Sequence, residues 1–263
     1  MLYIDMEDYG LVSIITPSYN SAKYIADTIE AICKQTYMNW ELLITDDCST
    51  DDSVKIIKNY MIKDTRIKLQ QLDVNSGAGV CRNKSIEAAQ GRYIAFCDSD
   101  DIWMPHKLEM QLRFINQKDC AFVYSSYMLM NEKKEVLGVS VCRNQETFTS
   151  MKRDNGIGCL TVLYDTAKVG KMYMSSLRKR QDWGLWLEIL RRCKVAYGMK
   201  EPLAYYRLRQ GSISNKKLTL MRHNVNVYRT ILHYSLVKAY LFCIFVFVPN
   251  YFLKKLRIKI NSL

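Results

Sequence analysis

No apolar run in this chain is long enough to cross a bilayer. The longest, residues 239–248, stops at Pro249 after ten residues, against the roughly 20 that a spanning helix needs. Cysteine usage excludes a disulfide framework or a zinc ribbon. The nine cysteines are scattered singly from Cys33 to Cys243, odd in number and without a CxxC pair, which fits reduced cytosolic thiols. The three histidines, His106, His223 and His233, have no metal-ligand spacing. The N-terminal stretch MLYIDMEDYG is acidic and lacks the apolar segment of a secretory signal. NSGAGVCRN supplies Gly77-x-Gly79, but Arg82 stands where a third glycine would complete GxGxxG. The motif also comes late in the chain, so a Rossmann dinucleotide site is excluded. Repeats, low-complexity tracts and obvious linkers are absent as well.

What is present is ordinary globular composition. The chain has 263 residues, 49% hydrophobic and 24% charged, which suits one large domain or one domain with a small appendage. The net charge of +12 points to an anionic partner: nucleic acid, membrane lipid or a phosphorylated substrate. Lys254, Lys255, Arg257 and Lys259 follow the apolar run. An aromatic, apolar segment beside a basic cluster has the texture of an interfacial anchor on anionic lipid. The competing reading is a buried core helix with a solvated tail.

The first half alternates strands and helices. Strands are expected over residues 11–16, in WELLITDD, RIKLQQL and RYIAFC, and from Ala121. Between them, Ile25, Ile29 and Ile32 share a helix face. Ser49 and Asp52 offer a capping box for a helix through Met61. Residues 80–90 read as helix, and Pro105 opens another that carries Leu108, Leu112 and Ile115. Such alternation implies a parallel sheet with helices on both faces, and ligands then bind outside the carboxyl ends of the strands. TPSYN, DDCSTD and DSDD fall at those ends, so three segments converge on one rim. Beyond about Tyr127 the rhythm changes. YMLMNEKKEVLG reads as a hairpin, GCLTVLYD as a strand, DWGLWLEILRRC as a short amphipathic helix, and AYGMKEPLAYYRLRQGSISNKK as strand, turn and basic loop.

The rim carries the chemistry. Asp98 and Asp100, one residue apart, point the same way in an extended segment and repel unless a cation lies between them. Mg²⁺ or Mn²⁺ commonly binds one or two carboxylates plus substrate phosphates. The alternative is a turn that caps the next helix, a task suited to Asp101. Asp46 and Asp47 end the second strand, placed either to accept from a base N–H or to cap a helix. Arg82 can reach a base or phosphate, or make a surface ion pair. Asp182 stands among Arg178, Lys179 and Arg180, cations that keep a carboxylate ionised as a general base needs; capping the helix from Trp183 is the plainer alternative. YYRLRQGSIS offers Arg207, Arg209, Ser212 and Ser214, and guanidinium groups clamp phosphate well. Trp103 and Trp183 are candidates to pack beside a sugar ring.

In order and spacing, VSIITPSYN, LLITDDCSTD, NSGAGVCRN, YIAFCDSDDIW, RQDWGLW and YYRLRQGSIS resemble glycosyltransferase family 2 with the GT-A fold, from Val12 to about Ser214. The resemblance implies an α/β fold with a mostly parallel central sheet, helices on both faces and a C-terminal helical membrane-associating segment. Residues 1–125 would be the nucleotide-sugar-binding half, 126–217 the acceptor-binding half and 218–263 an amphipathic extension. It implies an inverting, metal-dependent transfer from a UDP-sugar, with Mn²⁺ or Mg²⁺ as cofactor. Thr16, Pro17, Tyr19 and Asp47 would surround the uracil with Arg82 beside it. Asp98 and Ser99 would lie at the nucleotide, Asp98 and Asp100 would hold the metal, and Asp182 would be the base. Arg178, Arg180, Trp183, Arg207 and Arg209 would serve the diphosphate and acceptor. Two departures stand out: Gln181 replaces an acidic residue found before the base in many relatives, and Arg209 stands where many have histidine. RQDW and YYRLRQGSIS are similar to bacterial enzymes that build O-antigen or capsule repeat units on polyprenyl diphosphate, some transferring glucose or galactose in β1,3 linkage. That implies a cytoplasmic protein, peripheral on the inner membrane face, with no nucleic-acid partner. A basic nucleic-acid-binding protein and a sugar nucleotidyltransferase are the alternatives; for the latter, this sequence lacks the glycine- and lysine-rich triphosphate loop expected at the first strand.

Overall fold

Every residue of the first two strands, β1 (Val12–Ser18) and β2 (Trp40–Asp46), is buried, as expected of strands covered on both faces. Their side chains alternate between two cores: Ile14, Leu42 and Ile44 face one, Ile15 and Leu43 the other. The computed structural model describes residues 7–209, 217–255 and 258–260; Ser212, Ser214 and Arg257 lie outside the described residues. Helices α1 (Ile25–Cys33) and α2 (Ser53–Lys63) are followed by β3 (Ile67–Gln71), α3 (Ala78–Ala88), β4 (Tyr93–Phe96), the short β5 (Ile102–Trp103) and α4 (Lys107–Gln117). The expected apolar stripes of α1 and α4 pack on the first core, and Ile86 of α3 packs on the second. Strands β3, β2, β1 and β4 lie side by side, all parallel.

The second half holds β6 (Phe122–Met130), β7 (Val136–Ser140), β8 (Gln145–Thr147), α5 (Phe148–Arg153), β9 (Leu163–Asp165), α6 (Thr166–Val169), α7 (Gln181–Cys193) and β10 (Val195–Arg207). Helices α8 (Lys217–Thr230), α9 (Leu236–Phe242) and α10 (Val248–Lys255) and strand β11 (Ile258–Ile260) complete it. The sheet is mixed: β9 runs antiparallel between β4 and β6, while β10 runs parallel to β6 and antiparallel to β5 and β8. One sheet thus joins both halves, and the division at 125/126 falls inside β6. Gly91 is required where the chain enters β4, because a Cβ there would lie 2.6 Å from the Leu11 carbonyl oxygen.

Several local expectations are corrected. The capping box does not form: Ser49 bonds to Asp46, and Asp51 takes the Ser53 N–H at the start of α2. Pro105 lies just before α4, its carbonyl engaged by the Thr36 N–H. Asp101 does not cap α4; it is buried, and its carboxylate accepts the Arg207 backbone N–H. GCLTVLYD begins as a 3₁₀ turn over Cys159–Thr161 before β9. Pro249 does not end the helical run: it is the second residue of α10, which a π-type turn over Cys243–Phe247 joins to α9.

Lys107 is fully buried at the start of α4. Its ammonium donates to Gln111 Oε1 and lies 4.0 Å from the centre of the Trp103 ring. Burial pushes its pKa down to about 7, while in the unfolded chain it returns to about 10.4. Below about 7 both states are protonated and the full burial penalty applies. Between that value and about 10 the unfolded chain binds more protons, so this group's penalty fades as pH rises. Lys107→Met should therefore be more stable than wild type at pH 6, by roughly 3–5 kcal/mol before any loss from Gln111. That advantage should shrink steadily towards pH 10 in urea denaturation.

Candidate active site

The acids at the end of β4 are met by arginines from two other parts of the chain. Asp98 Oδ1 pairs with Arg82 Nη2 on α3, at 2.5 Å. Asp100 Oδ2 pairs with Arg209 Nε just past β10, at 2.7 Å. The Asp100 carbonyl accepts Arg207 Nε at 2.8 Å, and Asp101 Oδ1 accepts the Arg207 N–H at 3.0 Å. Arg207 and Arg209 lie over the Tyr24 ring, at 4.9 Å and 5.7 Å from its centre. Charge is nonetheless crowded here. Burial, then the charge of Asp98, raises the Asp100 pKa above its usual range, with Arg209 opposing. Burial, then Asp100 and Asp98, pushes Asp101 well above the carboxylate range.

The loop before α3 is fixed by Asp47, whose two oxygens accept the Ser76 and Gly77 N–H groups at 2.7 and 2.8 Å. Gly77 has φ +91°, which glycine adopts without strain, and α3 starts after it. Asp46 is buried and accepts from Ser18 and twice from Ser49, so it is structural. Thr16 and Pro17 are buried in β1, and Tyr19 is half exposed on the rim. Thr16 Oγ1 and Arg82 Nε are buried without a hydrogen-bond partner.

Asp182 lies in the first turn of α7, where Asn155 Nδ2 donates to its Oδ2 at 3.4 Å. It belongs to the same cluster as the acids of β4. Burial works against the charge on Arg82, but Asp98, then Cys159, then Asp182 hold its pKa above the ordinary value. Gln181 ties α7 to the first turn of α3. With its amide turned to satisfy both ends, its oxygen accepts the Gly79 N–H at 2.8 Å, and its nitrogen donates to the Leu177 and Arg178 carbonyls at 3.2 Å. A carboxylate at 181 accepts from Gly79 but has no proton for those carbonyls.

The structure therefore gathers Asp47, Arg82, Asp98, Ser99, Asp100, Arg209 and Asp182 around one rim. Three expected contacts are corrected. Trp183 and Trp103 are core residues, their indole N–H groups bound to the Met151 and Leu160 carbonyls, so neither offers a face to a sugar. Arg207 is buried, with its guanidinium committed to Asp27, the Glu132 carbonyl and the Asp100 carbonyl. It braces the rim rather than meeting a diphosphate. Arg178 is exposed and Arg180 partly so. Asn155, Cys159, Gln181 and Tyr24 were missed as site residues. Their roles arise from tertiary contacts; the acidic position replaced by Gln181 was the one available signal. Among the described residues, no group of three or more His, Cys, Asp or Glu side chains is gathered for a metal.

Solved structures with a similar fold include proteins that hold a nucleotide or a nucleotide sugar. S. aureus TarS in complex with UDP superposes with a TM-score of 0.64 at 22% identity, over 87% of this chain and 68% of that one. The mannosyltransferase PcManGT from Pyrobaculum calidifontis, with GDP-Man and Mn²⁺, gives 0.63 at 14% identity, over 91% and 74%. The pattern described as Glycosyl transferase family 2 matches residues 13–167. Bacillus subtilis TuaG, named as a teichuronic acid biosynthesis glycosyltransferase, is 42% identical over 94% of this chain and 98% of its own length. Escherichia coli WfgD, a UDP-Glc:α-D-GlcNAc-diphosphoundecaprenol β-1,3-glucosyltransferase, is 37% identical over 89% and 91%. E. coli WfaP, of the same named activity, is 36% identical over 93% and 95%. The architecture is thus that of GT-A transferases, and the chain belongs to glycosyl transferase family 2.

The two arginines two residues apart should behave differently. Arg207→Met leaves buried acceptors unpaired and should cost about 3–5 kcal/mol of stability. The Arg209 side chain is 43% exposed, so Arg209→Met should cost at most about 1 kcal/mol. Urea denaturation of the two variants checks this order.

Proposed function

We propose that the protein transfers glucose from UDP-glucose, in β1,3 linkage with inversion, to a sugar carried on polyprenyl diphosphate during bacterial surface-polysaccharide synthesis. The named activities of WfgD and WfaP support the donor, linkage and acceptor class. The observation that carries the reading is the rim: the Asp98–Arg82 pair, the Asp100–Arg209 pair and Asp182 converge beyond the strand ends. The positive net charge is better matched by a phosphorylated donor and a lipid-diphosphate acceptor than by nucleic acid. The acceptor's lipid places the work at the cytoplasmic membrane face, with the protein peripheral there.

In this reading residues 1–125 bind the nucleotide and residues 126–217 the acceptor. Thr16, Pro17, Tyr19 and Asp47 line the uracil, where the unpartnered Thr16 Oγ1 and Arg82 Nε leave bonds for a ligand or water to complete. Asp98 and Asp100 would hold a divalent cation: they are two carboxylates, one of them raised by burial and by its neighbour, and oxygen ligands of this kind suit Mg²⁺ or Mn²⁺. Such an ion supplies Lewis-acid neutralisation of the leaving diphosphate. Arg209, partly exposed, can exchange Asp100 for a phosphate oxygen. Asp182, held by Asn155, takes the proton of the acceptor hydroxyl. The hydroxyl oxygen then attacks the anomeric carbon opposite the departing UDP.

The test is transfer from radiolabelled UDP-glucose with Mn²⁺ and a polyprenyl-diphosphate GlcNAc acceptor. Wild type should form product, a chelator should stop it and added Mn²⁺ restore it. Asp182→Asn should lower kcat by about 10²–10⁴-fold with UDP binding unchanged. Undiminished turnover by Asp182→Asn, or no transfer from any UDP-sugar, rejects the assignment.

A further inference from the structure

The helical run from α9 through the π turn to α10 has two unlike sides. Ala239, Cys243 and Phe247, four residues apart, are buried. Phe247 packs 5.7 Å from Trp183, and Phe242 5.0 Å from Tyr228. The opposite side exposes Val237, Leu241, Ile244, Phe245 and Phe252, with Val237 69% and Phe245 71% accessible. Nothing among the described residues covers this face, and no described helix is long and apolar enough to cross a membrane.

Charge identifies the occupant. No Asp or Glu follows Glu201. Residues 202–263 carry 11 Lys and Arg, nearly the whole net charge of +12, and nine of these lie beyond Arg209. An apolar stripe set in an acid-free basic segment matches a surface with anionic headgroups above an acyl layer. A protein partner supplies no such layer.

We propose that the face formed by Val237, Leu241, Ile244, Phe245 and Phe252 lies in the interface of an anionic phospholipid leaflet, and that this docking sets the height of Asp182 above the lipid. This deepens the lipid-linked acceptor reading above and rests on it. The second clause follows from packing: Trp183, next to Asp182, sits directly on Phe247. The first turn of α7 is therefore supported by the inner side of the helix whose outer side meets lipid. A hydroxyl on a short lipid-anchored saccharide then arrives at the base without the enzyme leaving the surface.

The experiment uses the full chain and vesicles of phosphatidylglycerol with phosphatidylethanolamine, against phosphatidylcholine alone. Wild type should sediment with the anionic vesicles and not with phosphatidylcholine. Phe245→Glu and, separately, Val237→Glu should each lower the bound fraction at least fivefold. Both variants should keep transfer to a short-chain, water-soluble acceptor within twofold of wild type. Unchanged sedimentation of both variants overturns the proposal. So does a wild-type dimer, made monomeric by either substitution, that ignores both vesicle types; a second copy would then be the occupant. Vesicle binding by a wild-type protein that transfers no sugar to the soluble acceptor would remove the transferase reading and leave the lipid surface standing.

Discussion

Three carboxylates crowd the end of one buried strand, and arginines from two distant segments hold them there. Asp98 is met by Arg82 of α3, Asp100 by Arg209, and Asp101 by the backbone of Arg207. Burying unpaired charge is costly, so these contacts fix where α3 and the end of β10 stand relative to β4. Arg207 reaches further, through Asp27 to α1. The rim is braced from several sides before any ligand arrives.

The same bracing leaves the site short of positive charge. Each rim arginine is already engaged, and Asp100 and Asp101 remain raised in pKa despite them. In the proposed reading a nucleoside diphosphate adds further negative charge, which an arginine that changes partner or a cation that joins the acids would offset. Arg209, partly exposed, is suited to the first; Asp98 and Asp100 to the second. Gln181 carries order from this region to Asp182, because its amide bonds the first turn of α3 at Gly79 while it opens the helix whose next residue is Asp182. Electrostatic preorganisation of this kind is commonly the largest contribution to catalysis.

Much of this was legible in the sequence for a physical reason. Strands buried on both faces give uninterrupted apolar runs, and the polar residues that stop them mark the ligand-binding rim. DDCSTD and DSDD could therefore be placed without coordinates. Within the first of these, however, only contacts reveal that Asp46 is a buried anchor while Asp47 orders the loop before α3. Arg207 and Arg209 have the same side chain two residues apart, and burial alone separates brace from open cation. Trp183 could be placed beside a sugar as readily as in the core until Met151, Tyr228 and Phe247 were seen around it. The second half was harder to read because β8 and β9 are only three residues long and β10 shifts register near Pro202. Asn155 left no local trace, since its partner lies 27 residues away.

The most direct test of the acid–arginine rim as the seat of the diphosphate is calorimetric titration of UDP with and without Mn²⁺. It should be done on wild type and on Asp100→Asn, which keeps the side-chain shape and removes the charge. Mn²⁺ should tighten UDP binding at least tenfold in wild type and have little effect in the variant. Equal UDP affinity under all four conditions would contradict the account.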